Sequence, residues 1–198
     1  MNLLNDAFYW ISLGLLVPVM VALLLGFIYA LALVGGFYAH YRDRRHYRAN
    51  LEKLKARAAT EGLRLLPFAD YLAGNPRLLQ SLLAAQSHEW REPYTSKAIA
   101  DFELAGEKAL EPSKLLVRLG PMLGLLGTLI PMGPALVGLA TGDIASMATN
   151  MQVAFSTTVL GVVMGGVGFI VQLVRKRWFS EDLHQLQFMV ELAENERA

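Results

Sequence analysis

The residues of this chain that could handle a proton in an apolar setting are hydroxyls rather than acids or bases. Thr128 sits in Gly124-Leu-Leu-Gly127-Thr128-Leu-Ile-Pro131. Ser156, Thr157 and Thr158 follow Gln152 in Met151-Gln-Val-Ala154-Phe-Ser-Thr157-Thr158. A threonine hydroxyl offers one donor and two acceptor sites, so it can orient a water or a carboxyl group. Its usual helical role is local, returning its proton to a carbonyl one turn back. Around these hydroxyls lie three runs without Asp, Glu, Lys, Arg or His: 33 residues over 7–39, 24 over 119–142 and 31 over 144–174. An ionisable group inside such a run would mark an ion path, and none stands there. The chain therefore cannot relay a proton with its own titratable groups; a carboxylate has to come from another chain. His40 and His46 border the first run, while His88 and His184 lie further off, and all four read as solvated or packed side chains. No nucleophile–base pair, metal-ligand spacing or phosphate loop occurs, and there is no cysteine. The expectation is no enzyme, no metal and no cofactor.

The elements that must position the hydroxyls follow from composition. Of 198 residues, 54% are hydrophobic and 18% charged, against about a quarter charged in an ordinary soluble domain. Each uncharged run exceeds the roughly 20 apolar residues a helix needs to cross a bilayer. This predicts an all-α integral membrane protein with three transmembrane helices. The 18 Lys and Arg fall within 42–118, 175–177 and at Arg197. The positive-inside rule then puts the N-terminus outside and the C-terminus in the cytoplasm. Residues 1–41 form the outer N-terminus and first span, 42–114 a cytoplasmic helical insert, 115–140 the second span, 141–149 a short outer loop, 150–174 the third span and 175–198 a cytoplasmic tail. Ala30-Leu-Ala32 has the look of a cleavage site, but no basic residue precedes the run and Arg42, Arg44, Arg45 and Arg48 follow it, as in a retained anchor. Phe8, Tyr9 and Trp10 at one end, and Phe37, Tyr38 and Tyr41 at the other, suit interfacial belts. Net charge is +1, which gives no sign of a nucleic-acid partner.

The insert carries 13 basic and 10 acidic residues and reads as helical over 47–66, again from Pro76 to Arg91, and from a cap at Thr95 or Ser96 to Leu110, ended by Glu111-Pro112. It is small for a core of its own, so its helices are expected to prolong the spans and pack on neighbouring copies. Phe179, Leu183, Leu186, Val190 and Ala193 recur at helical spacing and predict an amphipathic tail continuous with the third span. Span one is bulky and suits a lipid-facing helix. Span two carries Gly120, Gly124, Gly127, Pro131, Ala135 and Gly138 at steps of three and four; span three carries Ala154, Thr158, Gly161, Gly165 and Gly168. Each set is one helix face, and small residues let helices approach closely in lipid. Such stripes serve packing inside one protomer, or a wall around a partner or pore, and spacing alone does not choose. Thr128 and Thr158 fall on or beside them.

Pro121-Met-Leu-Gly124-Leu-Leu-Gly127-Thr128-Leu-Ile resembles the second-helix motif of the MotA/TolQ/ExbB proton-channel family, and Met151-Gln-Val-Ala154-Phe-Ser-Thr157-Thr158-Val-Leu-Gly161 its third-helix motif. The resemblance covers about 115–174; the first span and the insert agree in layout, as in the TolQ/ExbB arrangement. TolQ- and ExbB-like chains carry a Glu shortly before the third-helix Thr, where Val153 stands here, and this brings the third helix closer to the MotA type. The resemblance implies a homopentamer in the cell (inner) membrane around single-span partners of the TolR/ExbD/MotB type. Each partner would carry an Asp, with Thr128 and Thr158 facing it. It implies a channel-wall subunit of a motor complex driven by the proton-motive force, or by sodium on the MotA-like side. The alternative is a non-conducting membrane scaffold whose stripes only assemble helices.

One consequence needs no partner. Liposomes holding this chain alone, under an imposed pH gradient, should show no proton permeability that titrates with a side chain. Robust conduction by the single component would overturn the requirement for an external carboxylate.

Overall fold

The computed structural model describes residues 2–61, 67–72 and 74–196. Among these run the helices α1 (Asn2–Glu61), α2 (Phe68–Leu72), α3 (Pro76–Ser87), α4 (Tyr94–Thr141) and α5 (Ile144–Asn195), and no strand occurs. Three of them, α1, α4 and α5, are long and apolar enough to cross a membrane. The architecture is all-α and multi-pass. The side chains of Arg45, His46 and Arg48, the end of the expected 47–66 helix at 62–66, and Arg197 lie outside the described residues. The chain divides into two compact units, Met1–Val34 with Pro112–Gln172 and Gly35–Glu111 with Leu173–Ala198.

In the first unit α4 and α5 form an antiparallel hairpin. The turn between them closes with Gly142 at φ +78°, a backbone conformation open to glycine because it has no Cβ. Asp143 N–H donates to Gly138 O at 2.8 Å and Gly142 N–H to Leu139 O at 3.3 Å, the paired bonds that end a helix on a left-handed residue. The Asp143 carboxylate then accepts Ser146 N–H at 3.0 Å and caps α5. With so short a turn the small faces of the two helices meet in register. A Cβ on Gly161 would lie 2.6 Å from Gly120 O and 2.7 Å from Gly124 Cα; one on Gly120 would lie 2.7 Å from Gly165 N. Further along, a Cβ on Gly127 would meet Thr157 Cβ at 2.6 Å, and one on Gly168 would meet Leu116 Cβ at 2.8 Å. Backbone touches backbone here, and only hydrogen side chains allow it. Pro131 and Ala135 are buried on the same face of α4.

The membrane part of α1 contributes one narrow stripe. Val19, Leu23, Ala30 and Leu33 are buried, and between them Gly26 takes the end of the buried Met164 side chain from α5. The rest of its surface, including Leu15, Leu24, Leu25, Ile28 and Leu31, is exposed. A face that apolar belongs against lipid or other apolar helices.

The second unit has a core that the insert shares with the tail. Tyr47, Leu51 and Leu54 of α1 pack with Phe68, Leu72, Leu78, Leu82, Trp90, Ala98 and Phe102, and with Leu186, Met189, Val190 and Ala193 of α5. The tail supplies the apolar face that the insert lacks. Three expectations are corrected. α4 runs unbroken from Tyr94 through Pro112 into the second span; a proline costs one backbone hydrogen bond but does not stop a helix held along most of its length by packing. Thr95 and Ser96 do not cap it: the Thr95 hydroxyl donates to Glu194 at 3.0 Å and that of Ser96 to Glu92 at 2.8 Å. Nor does the second insert helix reach Arg91; α3 ends at Ser87. It begins where Asn75 accepts Leu78 N–H, with Pro76 at its first position.

The seam separates two glycines of the same helix. Gly161→Ala should destabilise the chain by about 1–3 kcal/mol, because its Cβ meets backbone. Gly166→Ala, with nothing within 4 Å, should be neutral or stabilising by up to about 1 kcal/mol through helix propensity. Thermal unfolding in detergent reads both, and equal responses would remove the seam from the account.

Candidate functional site

Thr128 and Thr158 stand one residue beyond the seam pair Gly127 and Thr157. Counting about 100° per residue, each points about 60° away from the centre of the α4–α5 contact. Because the helices are antiparallel, both turn to the same side of it, while Gly127 and Thr157 turn to the other. Thr158 is exposed and Thr128 partly exposed, whereas Thr157 is 5% exposed. The hydroxyl of Thr128 donates to Leu125 O at 2.7 Å and that of Thr158 to Ala154 O at 3.0 Å. Both donors are thus used locally, and both oxygens keep acceptor capacity directed outward. Thr157 is a packing residue: its hydroxyl bonds Val153 O and Ala154 O at 3.1 and 2.9 Å, and its Cβ and hydroxyl oxygen fill the notch at Gly127. Ser156 is exposed and bonded to Gln152 O at 2.8 Å.

Prolines add a second polar feature beside Thr128. Pro131 and Pro134 lack an N–H, so the carbonyls of Gly127 and Ile130 have no helical donor. In lipid such carbonyls are tolerated where another helix or an ordered water can reach them. The arrangement can hold water or orient a carboxyl brought from outside the chain. It contains no acid or base.

Sequence reasoning missed a buried polar cluster in the second unit. Arg44 grips Asp182 with both terminal nitrogens at 2.9 Å, reaches Trp178 O at 3.0 Å, and lies 3.4 Å from Glu181. Asn75 donates to the same carboxylate at 2.9 Å, tying the α3 cap to α5. The Arg44 and Asp182 side chains are 13% and 9% exposed. Asp182 lies beyond the uncharged part of α5, outside the span. Burial pushes its carboxyl above the usual carboxylate range, opposed by Arg44 and Asn75, which hold it down. Burial likewise pushes the Tyr47 phenol up, with Asp182 adding to it. Only the basic cluster after span one hinted at Arg44; its partner lies 138 residues away, and no local pattern points to it.

The first unit thus combines apolar helices, a glycine seam and a rim bearing the hydroxyls of Thr128 and Thr158. Residues 68–187 match the MotA/TolQ/ExbB proton channel family, and the chain belongs to that family. Comparison with curated proteins and with solved structures gives no significant match.

The Arg44–Asp182 pair generates a test with a sign. Arg44→Met leaves a buried carboxylate without its main partner and should cost about 3–5 kcal/mol. Arg44→Met with Asp182→Leu should recover most of that. In the single variant the folded carboxyl lies further above its unfolded value. Its protonated form is then favoured by folding, and stability is fully present below the unfolded pKa and lost as pH rises towards the folded one. The deficit should therefore shrink on moving from pH 7 towards pH 5, as read by thermal unfolding. A pH-independent deficit would mean that the loss is packing alone.

Proposed function

We propose that this chain is the channel-wall subunit of a membrane motor complex driven by the proton-motive force. Five copies surround single-span partners of the TolR/ExbD/MotB type in the cell (inner) membrane, with the N-terminus outside and the C-terminus in the cytoplasm. Each partner presents an Asp to the rim carrying Thr128 and Thr158, whose oxygens and attendant waters receive its carboxyl as it takes up and releases a proton. The observation that carries this reading is the uncharged wall: the runs 7–39, 119–142 and 144–174 hold no Asp, Glu, Lys, Arg or His, yet two hydroxyls share one exposed side of the seam. A wall without its own charge neither traps the proton nor competes with the partner's carboxylate. Membership of a proton channel family supports the same reading.

The scaffold reading also has an observation in its favour. Every hydroxyl of Thr128, Thr157 and Thr158 is bonded to its own helix. Valine variants of each residue, co-reconstituted with a partner bearing a membrane Asp, separate the two. In the channel reading Thr158→Val and Thr128→Val leave assembly intact and cut proton flux at least tenfold. Thr157→Val changes stability by about 1 kcal/mol or less and flux little. If flux survives all three, the rim is not the path and the scaffold reading stands. If Thr157 alone is sensitive, the path lies on the other side of the seam.

A further inference from the structure

The backs of α4 and α5, the faces turned away from the seam, carry a donor and an acceptor that the fold of one chain leaves unused. Gly124 and Gly161 meet across the seam, where a Cβ on Gly161 would lie 2.7 Å from Gly124 Cα. Gly133 stands nine residues after Gly124, and Gln152 nine residues before Gly161. Nine residues at about 100° each make two and a half turns, so Gly133 and Gln152 point away from the seam on opposite sides of the hairpin. Both are exposed. They also share a height. Gly133 comes nine residues before Gly142 and Gln152 nine after Asp143, which puts each about 13 Å from the turn.

On α5, Thr149 and Ser156 lie one turn to either side of Gln152, and their hydroxyls are bonded to Ala145 O and Gln152 O at 3.0 and 2.8 Å. The Gln152 side-chain amide, with two donors and an acceptor, engages no described residue. It stands within the uncharged run 144–174, where an amide left against hydrocarbon is costly and a neighbouring helix relieves it. On α4, Pro134 leaves the Ile130 carbonyl without its helical donor. That carbonyl points along the helix toward the turn, to the height of Gly133. Gly133, three residues on, has no side chain to cover it, and a Cβ there would meet nothing within 4 Å. A glycine inside a helix costs about 1 kcal/mol relative to alanine, and the packing of its own chain gives Gly133 nothing in return.

We infer that the Gln152 amide docks over Gly133 of a second copy of this chain and donates to the Ile130 carbonyl of that copy. The inference rests on the ring proposed above. With Thr128 and Thr158 turned to the ring axis, the α4–α5 contact lies along the circumference, and the backs of the two helices face the copies on either side. Rotation about the membrane normal keeps each residue at its height, so Gln152 of one copy comes level with Gly133 of the next. The contact joins two different faces, the heterologous kind that closes into a ring.

The chain has no cysteine, so introduced cysteines report the contact directly. The full chain carrying Gly133→Cys and Gln152→Cys, oxidised in the membrane with copper phenanthroline, should give a ladder of covalent multimers. Within one chain the two positions face apart, so the bond forms only between copies. Gly133→Cys with Ile170→Cys keeps the same face of α5 but moves the cysteine about 27 Å along it, and should give no ladder. Gln152→Leu keeps the bulk and removes the amide, so the multimer in detergent should dissociate about threefold or more readily. Equal ladders from the two cysteine pairs would mean chance collision and overturn the contact, and a Gln152→Leu multimer as stable as the wild type would overturn the hydrogen bond. Native mass of the cysteine-free chain separates the contact from the ring. A multimeric mass without the Gly133–Gln152 ladder overturns the contact and leaves the ring standing, whereas a monomeric mass overturns both. A ladder alongside undiminished flux in the threonine variants keeps the contact and removes the channel reading.

Discussion

Backbone contact between α4 and α5 is the constraint on which the membrane unit depends. Gly120, Gly124, Gly161 and Gly165 leave no room for a Cβ between the two helices, so the hairpin can form only with these residues at these heights. In lipid there is no hydrophobic force pressing one apolar helix on another, and close van der Waals approach takes its place. The seam also sets rotation. Once the glycines face inward, Thr157 must fill the notch at Gly127, and Thr158, one residue on, must turn out to the rim. The position of each hydroxyl is a consequence of packing a few ångströms away.

The same logic explains where charge is allowed. The three apolar runs exclude Asp, Glu, Lys, Arg and His, while the second unit buries an Arg–Asp pair and satisfies it with Asn75 and the Trp178 carbonyl. A buried pair of this kind adds little net stability compared with apolar packing, but it is costly to break on one side. Here it fastens three elements, α1, the α3 cap and α5, in one arrangement. The aromatic stack of Phe37 and Trp178 lies beside it. The insert and the tail, neither with enough apolar surface alone, form one core because each completes the other's face.

Family membership and the site geometry bear on different questions. The match over 68–187 includes most of the second unit as well as the two glycine-bearing spans, while α1 lies outside it. The membrane part of α1 exposes mostly bulky apolar side chains, while its later residue Arg44 joins the buried polar cluster from outside the matched range.

The sequence by itself determined the three spans, because charge-free runs of 24 to 33 residues have few other homes. It also disclosed the small-residue faces and the lack of any acid or base within them, since both are read from residue type and helical period alone. The amphipathic tail was legible for the same reason. Tertiary structure alone decided what those faces touch: the α4 and α5 glycines meet each other within one chain, and this separates Thr157 from Thr158 by burial although they are neighbours of identical chemistry. It decided as well that Pro112 is passed without a break and that Thr95 bonds a residue of the tail rather than capping its own helix. Arg44 and Asp182 could not be paired beforehand, because nothing in either local segment encodes a partner 138 residues away. Periodicity reports which side of a helix is buried; which helix buries it is settled only when the chain has folded back on itself.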